Sequence, residues 1–128
     1  MSEASIAAEG LRQIENYLKG YRFNSRLLRM DRYEREFFNP TGIEPESQGE
    51  LPLARARMFE IRHFLMGIPN CDEKLLLYYH YIKGESVDRC AELLGISRSS
   101  AFRMKKRALA LALSYKERTE DAIARELA

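Results

Sequence analysis

Apolar residues recur along the first part of the chain in steps of four and three: Ala7, Leu11, Ile14, Leu18 and Tyr21, with Leu28 continuing the series. That spacing puts them on one side of a helix and predicts a heptad-like seam over residues 5–38. Leu27, Met30 and Phe37 turn the stripe gradually round the helix. Gly20 weakens a helix interior by roughly 1 kcal/mol relative to alanine, so one rod and two helices meeting near Gly20 are both open at this point. The charges of RLLRMDRYEREFF are mixed in sign and read as a solvated face laced with pairs three and four apart. Between residues 39 and 52, Pro40, Gly42, Pro45, Gly49 and Pro52 stand among polar residues, predicting a connection that cannot continue a helix. Ala54, Met58, Ile61 and Leu65 then predict a second helix over 53–66. Two such seams predict an antiparallel pair, each covering the other. The first is longer than the second helix can cover, so part of it is expected at an interface.

Past a break at 67–69, Asn70 with Glu73 three residues on has the form of a capping box. Leu75, Leu76, Tyr79 and Ile82 predict a helix that ends at Gly84, and Ser86 is placed to cap the next one. The stretch from Ser86 to Arg107, SVDRCAELLGISRSSAFRMKKR, reads as two helices around a tight turn. Ala91 is small where the second helix must cross the first. Gly95 falls where the chain must leave the first helix, a place that calls for a left-handed backbone. Ile96 follows as a plug, and Ser97 can cap the second helix. Cys90, Leu94, Ile96, Ala101 and Met104 form the expected buried side. Arg98, Ser99, Phe102, Arg103 and Lys106 lie opposite. Leu109, Leu111 and Leu113 carry the helix to about Tyr115, and TEDAIARELA is a helix-forming tail. The fold expected is all-α: an N-terminal helical hairpin or coiled-coil pair (1–69), a helix-turn-helix domain (70–118) and a C-terminal tail (119–128).

Charge sharpens this picture. The net charge is +2, yet residues 1–96 hold 13 Lys/Arg against 15 Asp/Glu, 97–118 hold 7 against 1, and 119–128 hold 1 against 3. Positive charge is therefore gathered on the second helix of the motif, where a DNA-reading helix needs it. At 45% hydrophobic and 31% charged, the composition is that of a globular chain. No run approaches the roughly 18 apolar residues of a membrane span, and MSEASIAAEG lacks the basic start and apolar core of a secretory signal. Cys71 and Cys90 define no disulfide framework, so a reducing cytoplasm is the expected location.

The run from Glu73 to Leu109 resembles region four of bacterial sigma factors, in LLYYHYIKGES, AELLGIS and the arginine-containing helix that ends KKRAL. The whole layout, with its YRFNSRLLRM segment, Gly/Pro connection and second helix, is similar to small phage and prophage transcription regulators of the ArpU and RinA types. The resemblance implies a regulator acting at a promoter, and it directs Arg98, Ser99 and Arg103 toward base edges. Nothing resembles sigma region two, so promoter melting is not implied.

Geometry points the same way, since residues 98, 99, 102, 103 and 106 share one helix face. The major groove admits a helix, and arginine can grip guanine O6 and N7 with two bonds. Phe102 suits a thymine methyl, or equally partial burial against Tyr78 or Tyr79. Ser86, Lys105, Lys106 and Arg107 are assigned to phosphates, which supply affinity without sequence information. His63, Cys71, His80 and Cys90 match no zinc spacing. No nucleophile has an orienting acid at recognisable spacing, so neither catalysis nor a cofactor is expected. The expected partners are double-stranded DNA, RNA polymerase and a second copy in a homodimer, with no membrane. Two other classes stay open: a small terminase-like packaging protein, and a protein that binds polymerase or a sigma factor without touching DNA.

Overall fold

The computed structural model describes residues 2–38 and 50–128. Among these the chain is all-α: α1 (Glu3–Phe37), α2 (Glu50–Gly67), α3 (Asp72–Leu77), a π-helical turn (Tyr78–Ile82), α4 (Val87–Leu94) and α5 (Arg98–Leu127). No described helix is long and apolar enough to cross a membrane.

α1 is one unbroken helix, capped by the Ser2 hydroxyl accepting from Ser5 N–H. Gly20 does not divide it. A Cβ there would lie 3.3 Å from Ile61 Cδ1, so the missing side chain is what lets α2 approach. The propensity lost at glycine, roughly 1 kcal/mol, is outweighed by burying Ile61, worth about 1.5–3 kcal/mol. Tyr17 meets Phe64 at 5.5 Å and Gly20 meets Ile61, so α1 and α2 run in opposite directions. Asn24 is buried, and its Nδ2 donates to the Gly20 carbonyl at 2.6 Å.

Pro40, Gly42, Pro45 and Gly49 lie outside the described residues. Pro52, expected in the connection, instead stands in the first turn of α2, where its missing N–H has no helical partner to lose. Ala54, Ile61 and Leu65 form the buried side of α2, and Ile68 just beyond it is also buried. The seam of α1 proves narrower than its spacing suggested. Ile14 and Leu18 are buried, Leu11 and Tyr21 are half-buried, and Ala7 is exposed. What covers the seam beyond α2 is α5, whose Ala108, Leu109 and Ala112 join Ile14, Leu18, Ile61, Leu65 and Ile68 in the largest core cluster. Leu77, Tyr81 and Ile82 belong to the same cluster, so residues on both sides of 69 share one core. The alanines at 108 and 112 are fully buried, which lets α5 lie close to its neighbours.

Two local expectations shift. Cys71, rather than Asn70, precedes the first residue of α3, and it makes no side-chain cap bond. With the helix starting at Asp72, Glu73 is one position too early to close a capping box, although both acids suit the free amides of the first turn. The buried residues of the next stretch are Leu76, Leu77, Tyr81 and Ile82, while Leu75 is 39% exposed and Tyr79 half-buried. The two buried pairs are five residues apart, a spacing that the π-helical turn accommodates and a regular α-helix would not. Lys83 N–H donates to the Tyr78 carbonyl at 3.0 Å to close it. The chain then turns at Gly84, whose φ of +78° favours glycine.

α5 runs for 30 residues, so the tail after residue 118 continues it rather than forming a separate element. Phe64 bridges Tyr17 and Tyr115, tying α1, α2 and α5 together, and the Tyr115 hydroxyl rests on Gly67 where a side chain would collide.

Candidate nucleic-acid interface

The corner between α4 and α5 is built from local signals. Ser86 caps α4, its hydroxyl oxygen accepting from Arg89 N–H at 3.1 Å. Gly95 leaves α4 with φ 69° and ψ 34°. Its N–H donates to the Glu92 carbonyl at 3.2 Å and Ile96 N–H to the Ala91 carbonyl at 3.0 Å. That pair of bonds is the Schellman arrangement, which satisfies carbonyls that a helix end leaves free. Apart from its chain neighbours, no atom of the described residues lies within 4 Å of where a Cβ at Gly95 would stand, so the backbone angle, not space, calls for glycine. Ile96 packs over Val87, Ala91 and Ala101, and Cys90 with Leu76 and Met104 forms a second small core, flanked by Tyr79 and Leu94. Ser97 caps α5, accepting from Ser100 N–H at 3.1 Å.

With Ala101, Met104 and Ala108 buried, the opposite side of α5 faces outward. Arg98, Ser99, Phe102, Arg103, Lys106 and Arg107 are all exposed. Phe102, 48% exposed, makes no ring contact with Tyr78 or Tyr79 among the described residues. Its ring lies under the Arg98 guanidinium, 5.6 Å from centroid to Cζ. Arg98 also pairs with Asp88 of α4 at 2.8 Å, and Arg103 Nη2 donates to Ser100 Oγ at 3.2 Å. Lys106 has no ion-pair partner among the described residues. Arg107 reaches Glu73 at 3.7 Å.

Lys105 stands apart from this face. Its side chain is only 26% exposed and turns to Glu15 of α1 at 3.3 Å. Glu15 also accepts from the Tyr81 hydroxyl. Burial pushes the Glu15 carboxyl up, but the Tyr81 hydroxyl and the Lys105 ammonium together hold it below its ordinary value. Burial and the bond to Glu15 push the Tyr81 hydroxyl up. This three-way contact fixes α1 against the π-helical turn and α5, and so sets where the outward face points. No local pattern reveals it, because its members come from three distant stretches. Sequence reasoning also misses Asp88 as the partner that orients Arg98; an acid in the first turn of α4 is the signal that marks it.

Ser86 keeps its hydroxyl hydrogen for an acceptor, since its oxygen is used in the cap. His80 Nδ1 lies 2.7 Å from the Glu85 carbonyl oxygen, and burial lowers its pKa. His63 stacks on Phe59 at 5.8 Å, and Cys90 is in the core. Among the described residues no group of three or more His, Cys, Asp or Glu side chains could hold a metal ion. Compared with protein-family models, curated proteins and solved structures, the chain matches none.

Proposed function

We propose that this chain is a sequence-specific DNA-binding transcription regulator, phage- or prophage-encoded, whose α4–α5 corner is a helix-turn-helix reading duplex DNA in the major groove. The observation that carries the reading is the outward face of α5. Arg98, Ser99, Phe102 and Arg103 stand on one side of a helix whose other side is buried, at the start of the most basic stretch of the chain. In the groove, Arg98 and Arg103 supply donors for guanine, Ser99 donates or accepts, and the Phe102 edge suits a thymine methyl. Lys106, Arg107 and Ser86 flank that face and meet phosphates. Lys105 contributes through Glu15, by holding α5 in place. The likeness to sigma region four extends the proposal to a contact with RNA polymerase.

The test is enrichment of bound duplexes from a random pool by the purified full chain, followed by footprinting. A shared short motif protected across one major groove supports the reading; recovery of no common sequence sinks it. A second reading, a small terminase-like packaging protein, is favoured by the exposure of Phe59, Ile123 and Leu127 on α2 and α5, which suits an oligomer. Ring-shaped assemblies on packaging-site DNA would establish that alternative.

A further inference from the structure

α1 compensates several of its charges locally, pairing Arg12 with Glu9, Lys19 with Glu15 at 3.7 Å and Arg35 with Asp31 at 2.9 Å. Arg22, Arg26 and Arg29 depart from that pattern. In steps of three, four and three they continue from Lys19 along one side of the helix. None of the three has an ion-pair partner among the described residues. Lys19, Arg22 and Arg26 line a cleft with His80, Gly84 and Ser86. A side chain at Gly84 would collide with the Arg22 guanidinium, which therefore lies directly over the turn leading into α4. Among the described residues that line the cleft, Glu85 is the one carboxylate, and it makes no ion pair with Arg22. Ser86 caps α4, and two residues on, Asp88 pairs with Arg98 at the start of α5. The arginine row and the reading face of α5 thus flank the same end of α4.

From this placement we infer that Arg22, Arg26 and Arg29 grip the phosphate backbone of duplex DNA beside the segment read by α5, making α1 part of the DNA-binding surface. The inference rests on the function proposed above. Guanidinium groups match phosphate oxygens with two parallel bonds and stay charged at any working pH. From Arg22 to Arg29 the row spans about 10 Å of helix axis, and duplex DNA carries one charge per roughly 1.7 Å of its own axis. Several phosphates are therefore within reach of three side chains. Such bonds add affinity and fix orientation without reading bases.

The test compares the full chain with its Arg26→Gln, Arg29→Gln double variant, leaving Arg22 in place because it packs over the Gly84 turn. Anisotropy titrations at several salt concentrations use the enriched duplex and its single-base variants, and a thermal melt checks the fold. Removing one cation from a phosphate lowers the slope of log affinity against log salt by about 0.9, so a drop of about 1.8 is expected. Wild type should then lose on the order of tenfold more affinity than the variant between about 50 and 200 mM salt. Preference among single-base variants should stay the same. An unchanged slope in a variant that binds and melts like wild type would overturn the inference while leaving the proposed function standing. A lost base preference would overturn it too, by making these arginines readers. A wild type that binds no duplex would remove the proposed function and the inference with it.

Discussion

The Asp88 carboxylate in the first turn of α4 lies 2.8 Å from Nε of Arg98, the first residue of α5. Both side chains are largely exposed, so the pair contributes little to stability. Its consequence is directional: it holds a guanidinium at the leading edge of the outward face, and it must loosen if Arg98 is to grip a base.

Asp88→Asn should accordingly change folding stability by no more than about 0.5 kcal/mol. On the DNA-binding reading it should also tighten binding, because the carboxylate no longer competes for Arg98 or repels phosphate. Thermal melts and titrations against the enriched duplex check both halves. Unaltered affinity would place Arg98 away from the DNA.

Two glycines separate backbone strain from steric exclusion. Gly95→Ala should destabilise by about 1 kcal/mol or more through its positive φ alone. Gly67→Ala should destabilise because the new Cβ meets the Tyr115 hydroxyl. Adding Tyr115→Phe should recover part of the loss at 67 and none at 95. Denaturant unfolding of these variants decides it, and equal recovery at both sites would contradict the assignment.

Gly95 and Ser97 are legible from sequence because their work is local, set by the backbone of the residues beside them. Gly20 is not, since Ile61 on another helix decides whether it breaks α1 or admits α2. The phase of the 75–82 stretch escapes a helical reading for the same kind of reason. Its buried pairs follow a five-residue spacing that only the packing of Tyr81 and Ile82 into the shared core reveals. Lys105 and Lys106 are neighbours of one chemistry, yet Glu15 turns the first inward while the second stays exposed.

That difference is measurable. On the DNA-binding reading, Lys106→Ala should lower the salt slope by about 0.9 with little effect on folding. Lys105→Ala should leave the slope nearly intact and lower stability by about 1 kcal/mol, since it removes one cation from the contact with Glu15 and Tyr81. Matching slopes and melts for the two variants would refute the distinction.

Acid should weaken the fold in two windows. His80 has a lowered pKa, so the unfolded chain takes up a proton near 6.5 before the folded chain does. Its contribution is full above that value and lost as pH falls through the lower folded value. Glu15 is also lowered; its contribution is full above about 4.5 and lost as pH falls through its folded value. Melts from about pH 8 down to about pH 2 should show the first decline flattened by His80→Gln and the second by Glu15→Gln. Superimposable profiles for wild type and both variants would contradict these assignments.

On the reading that the outward face of α5 contacts bases, Arg103 is the residue to change, because its guanidinium is exposed and, among the described residues, bonded to the Ser100 hydroxyl alone. Affinities of wild type and Arg103→Ala are measured for the enriched duplex and for each single-base-pair variant. A loss of about 1–3 kcal/mol confined to one base pair is expected, with preference relaxed at that position alone. An equal loss on every sequence would contradict it.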